Sequence, residues 1–310
     1  MTLPAPPACD VLLFTAVSEE KKAVGDVARE LGLQHIKGKS VLGDYVDLGT
    51  IGISRVLRVE THMGPFSSTG SAAKALQWLA ATQARAIIGV GMAFGTLPKS
   101  QKHGDILVST SLLPYDYKII KCGPPEAPVA EGCGSVRAAL HRTRAFIRSL
   151  GGERWPRELN LQEMRQKEAR SGGKGAAPVA DYRDVKTYPA RPQLRVLFEQ
   201  AARVPDWHGR VHFGPLLSGA SRIHCSTYRD ELCAAFPDRG IVVGGDMEGI
   251  GLLASSDETE SRWIIVKGIS DFADEERDKI IDKTRPVACR NAAQFVLSAL
   301  LREEMLRAQP

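Results

Sequence analysis

The 310-residue chain lacks the features that mark several common classes of protein. It contains no run of about 18 apolar residues, the length that a helix needs to cross a bilayer. Its first residues, MTLPAPPACD, do not combine a basic segment with an apolar one, so no secretory signal is visible. The six cysteines are scattered without a CxxC pair, which argues against a zinc site or a disulfide framework. These absences predict a cytoplasmic protein with reduced thiols, no membrane association and no metal or other cofactor.

What is present is the composition of an ordinary globular protein. Hydrophobic residues make up 43% of the chain and charged residues 25%, and the net charge is +5. This mildly basic balance suits a phosphorylated small molecule, an acidic partner or nucleic acid, and does not choose among them. The length fits one large domain, so we predict a single domain over residues 1–310 that carries an insertion.

Alternating strand and helix signals run along both ends of the chain. Short apolar runs at residues 10–16, 53–60 and 84–95 predict buried strands, and helical spacing of apolar residues follows the first two. This alternation predicts an α/β fold: a three-layer αβα arrangement with a central mixed, mainly parallel twisted sheet.

The alternation lapses over residues 121–181, where Pro/Gly-rich tracts flank a basic stretch. Residues 135–175 contain ten Lys and Arg against four Glu and no Asp. We interpret the segment as an insertion that gates a pocket or supports assembly. Nucleic-acid binding is disfavoured, because only Phe146 and Trp155 offer rings for base stacking there.

Carboxylates follow several of the predicted strands. Glu19 comes after the first strand, Asp246 and Glu248 lie in GGDMEG, and Asp271 ends a strand in the motif ISDFAD. Each has a simpler explanation: a helix-dipole partner for Glu19, a helix N-cap for Asp246 and a turn cap for Asp271. Ligands of open α/β sheets bind beyond the carboxyl ends of the strands. Their co-occurrence there therefore predicts a site for a polyhydroxylated, protonatable substrate.

Five motifs, in the order TAVSEE, IIGVGMAFG, FGPLLSGASRI, GGDMEGIGLL and VKGISDFAD, resemble those of the nucleoside phosphorylase/nucleosidase superfamily. The chain is most similar to the hydrolytic branch, the methylthioadenosine/S-adenosylhomocysteine nucleosidases. The resemblance covers about residues 10–120 and 188–300. The THMGPFSS loop and the spelling GGDMEGIG also resemble phosphorylase-superfamily domains of bacterial anti-phage systems. This resemblance implies hydrolysis of a purine nucleoside or nucleotide, which would deplete the cellular pool of that compound.

The resemblance implies a role for each matched residue. Asp271 matches the general acid that protonates N7 of the departing purine, and Glu248 matches the glutamate that holds the ribose 2′- and 3′-hydroxyls. Met247 would line the sugar pocket. Glu19 matches the carboxylate that activates the attacking water, and Ile223 matches a residue whose backbone contacts the base.

Departures from the pattern concern the base and the substrate's 5′ end. Asp246 stands where the nucleosidases usually have Glu, and Arg222 stands where they have a purine-stacking aromatic residue. Arginine can stack on a base or reach a phosphate. In the glycine loop around Gly91 and Ala93, Phe94 replaces a small residue and supplies a ring. We therefore expect an adenine nucleotide such as ATP or AMP as the favoured substrate.

Two other activities remain open. A purine nucleoside phosphorylase would need a phosphate cradle, for which HMGPFSSTG offers Gly64 and Ser67. A purine nucleotide sensor without catalysis is the alternative of another class. Members of this fold usually complete each other's pockets, so the resemblance also implies a homo-oligomer.

Overall fold

A computed structural model describes residues 3–122, 178–182, 185–204, 207–256 and 260–303. Residues 123–177, which form most of the predicted insertion at 121–181, lie outside the described residues. The single-domain organisation therefore stays a prediction. At the two ends of this segment, strands Ile119–Cys122 and Pro178–Asp181 pair with each other in antiparallel fashion.

Twelve strands and six α-helices make up the described residues, together with two short 3-10 turns at Pro237–Arg239 and Leu253–Ser255. The strands are β1 Val11–Thr15, β2 Ile36–Ser40, β3 Gly43–Ile51, β4 Ser54–Glu60, β5 Ala86–Gly95, β6 Ile106–Pro114, β7 Ile119–Cys122, β8 Pro178–Asp181, β9 Tyr188–Pro189, β10 Val211–Ser218, β11 Gly244–Asp246 and β12 Trp263–Asp271. The helices are α1 Ser18–Glu30, α2 Ser71–Thr82, α3 Pro192–Ala201, α4 Ser226–Ala234, α5 Gly249–Leu252 and α6 Arg277–Leu301.

The main sheet has ten strands and runs in the order β11-β10-β6-β12-β5-β1-β4-β3-β2, with β9 on β6. The predicted α/β class and mixed sheet are confirmed. Five of the ten strand pairings are parallel and five are antiparallel. Parallel pairs join β1 to β4 and β5, β5 to β12, and β10 to β6 and β11, whereas the other pairings are antiparallel.

Half of this sheet closes on itself. Strand β11 pairs with β10 on one side and with β5 on the other, so β5, β12, β6, β10 and β11 form a ring. The closure depends on Gly244 and Gly245, since a Cβ on either would overlap the backbone or ring of Phe94. This half is therefore barrel-like, and not an open layer between two layers of helices as predicted.

The core centres on β12, whose nine residues are all buried. Helix α6 packs directly against this strand, because Gly268 has no side chain and its Cα faces the backbone of Ala288. Helix α1 packs in turn on α6. This packing sets the start of α6 beside the carboxyl end of β12, and the start of α1 beside the end of β1.

Candidate active site

A cavity of about 310 Å³ opens at the carboxyl ends of β1, β5, β11 and β12. Its lining contains four carboxylates, three arginines and a ring, and it comes from segments far apart in the sequence. The lining residues are Ala16, Val17, Glu20, Met63, Met92, Ala93, Phe94, Ser221, Arg222, Ile223, Gly245, Asp246, Met247, Glu248, Ser270, Asp271, Arg277 and Arg285. The strand-end placement predicted for the carboxylates holds for those of β11 and β12.

A buried lysine joins two of the carboxylates beneath this cavity. Lys267 Nζ lies 3.2 Å from Glu20 Oε1 and 3.3 Å from Glu248 Oε2, and its side chain is only 2% exposed. Burial alone lowers the pKa of a lysine, but here Glu20, Glu248 and Asp246 together outweigh burial and raise the pKa of Lys267 above its ordinary value. Lys267 is therefore a fixed cation among three carboxylates. Lys267 is not among the site residues predicted from the sequence.

Glu20 closes the first turn of α1 and reaches the glycine loop of β5. Its Oε2 accepts hydrogen bonds from the N–H groups of Ala16 at 2.6 Å and Val17 at 3.3 Å, while Oε1 accepts from Met92 N–H at 3.0 Å. Gly91 makes this approach possible, since a Cβ there would overlap the Glu20 carboxylate and the backbone has φ +154°. Gly91 thus acts by admitting Glu20 and does not itself line the cavity.

The structure places Glu20, and not the predicted Glu19, in the cavity. Glu19 is 35% exposed, and its Oε1 accepts a 2.7 Å hydrogen bond from Arg285 Nη1. The hydrogen bond from Arg285, followed by one from Ser18, lowers the pKa of Glu19. The two glutamates diverge because successive residues of a helix are about 100° apart around its axis. Helix α1 begins at Ser18, so only the second glutamate faces the sheet.

Glu248 and Asp246 are anchored on opposite sides of Met247, which lines the cavity. Glu248 accepts from Gly64 N–H at 3.5 Å, and its side chain is 15% exposed. Burial raises its pKa to about 7, although Lys267 opposes the shift. Asp246 accepts hydrogen bonds from Ser218 Oγ at 2.9 Å and from the N–H of Gly249, where α5 begins. Burial also raises the Asp246 pKa. The capping interpretation of Asp246 and its place in the cavity are therefore compatible.

Asp271 is held at the far end of β12 from Lys267. Its Oδ2 accepts from Ser270 Oγ at 2.8 Å and its Oδ1 from Ala273 N–H at 2.9 Å. Arg277 Nε lies 3.5 Å from Oδ2. Lys267 lies four residues before Asp271 in β12, and Asp271 lines the same cavity as Glu20 and Glu248.

The remaining predicted residues divide into those that line the cavity and those that do not. Ala93, Phe94, Ile223 and Arg222 line it, and Arg222 Nη2 contacts Met63 Sδ at 3.1 Å. Gly64 touches the site only through Glu248. Ser67 is exposed, bonds Thr69 and is not part of the lining. The structure therefore does not bring the predicted phosphate cradle together around the cavity.

The described residues contain no group of three or more His, Cys, Asp or Glu side chains placed to hold a metal ion. Nor is any helix in this part of the chain both long and apolar enough to span a bilayer.

The fold is thus a partly closed mixed sheet with carboxylates at its strand ends, around a cavity of about 310 Å³. The family model for the phosphorylase superfamily matches residues 11–302, and the chain belongs to this superfamily.

Several solved structures share this fold. The 5′-methylthioadenosine/S-adenosylhomocysteine nucleosidase of Neisseria meningitidis, in complex with methylthio-immucillin-A, is 19% identical with a TM-score of 0.62. The alignment covers 94% of this chain and 98% of that one. The futalosine hydrolase of Helicobacter pylori is 16% identical with a TM-score of 0.61, covering 95% and 97%. At such identities these similarities establish the fold alone.

A curated relative is similar over a shorter stretch. The death domain-containing ATP nucleosidase of Amphimedon queenslandica is 31% identical over 91 residues. The match spans 29% of this chain and 16% of that protein.

Proposed function

We propose that the protein hydrolyses the N-glycosidic bond of a purine nucleoside or nucleotide and releases the free base. The observation that carries this proposal is the buried Lys267, which holds Glu20 and Glu248 together four strand residues away from Asp271. Such an arrangement offers separate groups to the two partners of the bond, the ribose and the base. Membership of the phosphorylase superfamily and the nucleosidases among its structural relatives support the assignment.

Asp271 is the proposed proton donor to the leaving base. Breaking the bond leaves negative charge on the purine, and protonation at N7 by a positioned carboxylic acid relieves it. Ser270 and the Ala273 N–H fix the carboxyl group through both of its oxygens. Its orientation is therefore set before the substrate arrives.

Glu248 is the proposed clamp for the ribose 2′- and 3′-hydroxyls. A carboxylate accepts a hydrogen bond from each of the two hydroxyl groups, and its negative charge stabilises the oxocarbenium-like sugar that forms as the bond breaks. Glu20 and Asp246 add negative charge on the same side. Since Lys267 neutralises only part of it, the cluster favours a cationic sugar over a neutral one.

Glu20 takes the role of water activator that our sequence analysis gave to Glu19. A general base needs a carboxylate within hydrogen-bond reach of the water and shielded from solvent. Glu20 is buried and lines the cavity, whereas Glu19 is partly exposed and engaged by Arg285. Lys267 Nζ and the Met92 N–H both donate hydrogen bonds to Glu20 Oε1 and so orient the carboxyl group.

An adenine nucleotide such as ATP or AMP is the substrate that we favour. Arg222, Arg277 and Arg285 line the cavity, and an arginine offers a forked donor that matches phosphate oxygens. Arg285 Nε is buried and has no hydrogen-bond partner among the described residues. The similarity to the ATP nucleosidase of Amphimedon queenslandica supports this choice. Depletion of a nucleotide pool in antiviral defence, by a homo-oligomer in the cytoplasm, belongs to the same proposal.

Arg285→Ala tests the recognition of phosphate. We expect kcat/KM for AMP to fall about tenfold or more, since a charge-assisted hydrogen bond contributes about 1.5–3 kcal/mol. The value for adenosine should change much less. An equal fall for both substrates would assign Arg285 to the architecture of the cavity instead.

The activity itself is tested by a product assay. Purified protein is incubated with ATP, AMP, adenosine, methylthioadenosine, guanosine, inosine and NAD, each with and without inorganic phosphate. Base and sugar products are then resolved by chromatography and mass spectrometry. We expect the wild type to release free adenine without phosphate, most rapidly from a nucleotide, and Asp271→Asn to release it more slowly by about 10²-fold or more. Release only with phosphate would indicate a phosphorylase, and no release would indicate a nucleotide sensor.

A further inference from the structure

A second cavity, of about 480 Å³, lies between α1 and the antiparallel strands β2 to β4. We call it the α1 groove. None of its lining residues lines the catalytic cavity, so it is a separate feature of the surface. It is lined by Lys21, Lys22, Gly25, Asp26, Arg29, His35, Lys37, Gly38, Lys39, Asp44, Tyr45, Val46, Arg58 and Glu60.

Positive charge exceeds negative charge in the α1 groove. Six lysines and arginines face three carboxylates, and two of the six are already engaged. Lys21 Nζ pairs with Glu60 Oε1 at 2.5 Å, and Arg29 pairs with Asp26.

The other four cations, Lys22, Lys37, Lys39 and Arg58, form no ion pair within the described part of the chain, while Asp44 is the one acid left over. Lys22 comes from the helical wall of the groove, and the other three come from the sheet wall.

Arg58 and His35 show that this charge is not fully offset. Arg58 Nε is buried and has no hydrogen-bond partner among the described residues, and burial lowers the pKa of the guanidinium. The pKa of His35 is lowered first by burial and further by the positive charges of Arg29, Arg58 and Lys37. An arginine with an unused buried donor, in the same groove as a histidine whose pKa is lowered by neighbouring cations, favours the binding of an anion.

We propose that the α1 groove binds a small molecule that carries several phosphate groups. Its volume lies within the range of small-molecule sites, about 300–1,000 Å³, and its cations project from two walls that an oligophosphate would bridge. The Arg58 guanidinium offers a forked donor that matches phosphate oxygens.

A nucleic-acid strand fits the groove less well, because strand binding uses aromatic rings that are free to stack. Tyr45, the one aromatic ring in the lining apart from His35, packs edge-on against Trp78 at 6.0 Å and covers Gly38.

The inference is independent of the proposed hydrolysis and is tested with inorganic tripolyphosphate by titration calorimetry. The variant Lys22→Ala/Lys37→Ala removes one cation from each wall. Both side chains are exposed, so we expect it to fold. The matched control, Lys99→Ala/Lys102→Ala, removes the same charge from exposed positions elsewhere. We expect affinity to fall about tenfold or more in the groove variant and to change little in the control.

A third variant, Arg222→Ala/Arg285→Ala, removes cations from the catalytic cavity and should leave this binding in place. Equal affinities in the groove variant and its lysine control would overturn the proposal, and so would a loss confined to the cavity variant. If the Lys22→Ala/Lys37→Ala variant lost binding of an oligonucleotide but kept binding of tripolyphosphate, the groove would be a nucleic-acid surface. That result too would refute the proposal.

His35 provides an independent readout. Bound phosphate adds negative charge beside the histidine, so its pKa should rise when tripolyphosphate is present. Proton NMR of the ring across a pH titration measures this shift. A His35 titration that is the same with and without saturating tripolyphosphate would place the bound anion outside the groove.

Discussion

Replacing Lys267 by methionine tests the electrostatic design of the site. The substitution keeps a long side chain and removes the ammonium that lies 3.2 Å from Glu20 and 3.3 Å from Glu248. At an effective dielectric constant of about 20, each contact contributes about 5 kcal/mol of attraction. Burying the ammonium costs several kcal/mol in return. Since removal of one partner also leaves the carboxylates uncompensated, we expect the free energy of unfolding to fall by about 3–5 kcal/mol.

The loss should depend on pH in a definite direction. A carboxyl whose pKa is raised on folding stabilises the folded state fully below its unfolded pKa and loses that contribution as pH rises through the folded pKa. Glu248 follows this pattern with a folded pKa of about 7, and loss of Lys267 would raise that pKa further. The stability gap between wild type and variant should therefore be narrower at about pH 5.5 than at about pH 8.5.

Urea unfolding followed by circular dichroism at both pH values measures the gap. The double variant Lys267→Met/Glu20→Gln is the control, since removing one carboxylate with the cation should restore part of the stability. A loss below about 1 kcal/mol at the higher pH would refute the reasoning, because desolvation would then have cancelled the attraction. A gap that does not change with pH would show that Lys267 acts through packing and not through charge.

Three further outcomes concern the proposed chemistry. Asp271→Asn should lower kcat for base release by about 10²-fold or more, since general acid catalysis contributes about 10²–10⁴-fold; a rate near wild type would remove Asp271 from that role. Glu20→Gln should abolish most hydrolysis while Glu19→Gln keeps most of it, and the reverse order of the two rates would restore Glu19 as the water activator. Ionised Glu248 accepts a hydrogen bond from each of the two ribose hydroxyl groups, whereas the protonated carboxyl group is a donor at one oxygen. KM should therefore rise as pH falls below about 7. Glu248→Gln should raise KM at every pH and remove the rise of KM below about pH 7.

The sequence predicted the long strands and their class better than it predicted how they close. Apolar runs such as WIIVKGIS identify β12 from composition alone, since a strand buried on both faces has few polar residues. Strand β11 has three residues, and two of them are glycine. So short a strand shows no periodicity, and its pairing with β5 follows from a close backbone approach that only three-dimensional packing reveals.

The sequence predicted which types of residue form the candidate site better than it predicted their exact positions. Two adjacent glutamates occur at residues 19 and 20, and the first residue of α1 decides which of them turns inward. Helix boundaries are uncertain by one or two residues from sequence, and here one residue changes the assignment. Lys267 did carry a signal that our sequence analysis passed over. A lysine inside an otherwise apolar strand requires buried partners of opposite charge.

The pairing of β11 with both β10 and β5 has a consequence for the aggregation of this protein. A strand with unpaired N–H and C=O groups is a template on which a neighbouring chain can add a strand. Ring closure removes that hazard from β11 and leaves β2 at the open end of the strand order. Strand β2 exposes Ile36 but carries Lys37 and Lys39, whose mutual repulsion between copies discourages edge-to-edge pairing. These two lysines therefore protect this edge of the main sheet against the addition of a strand from another copy.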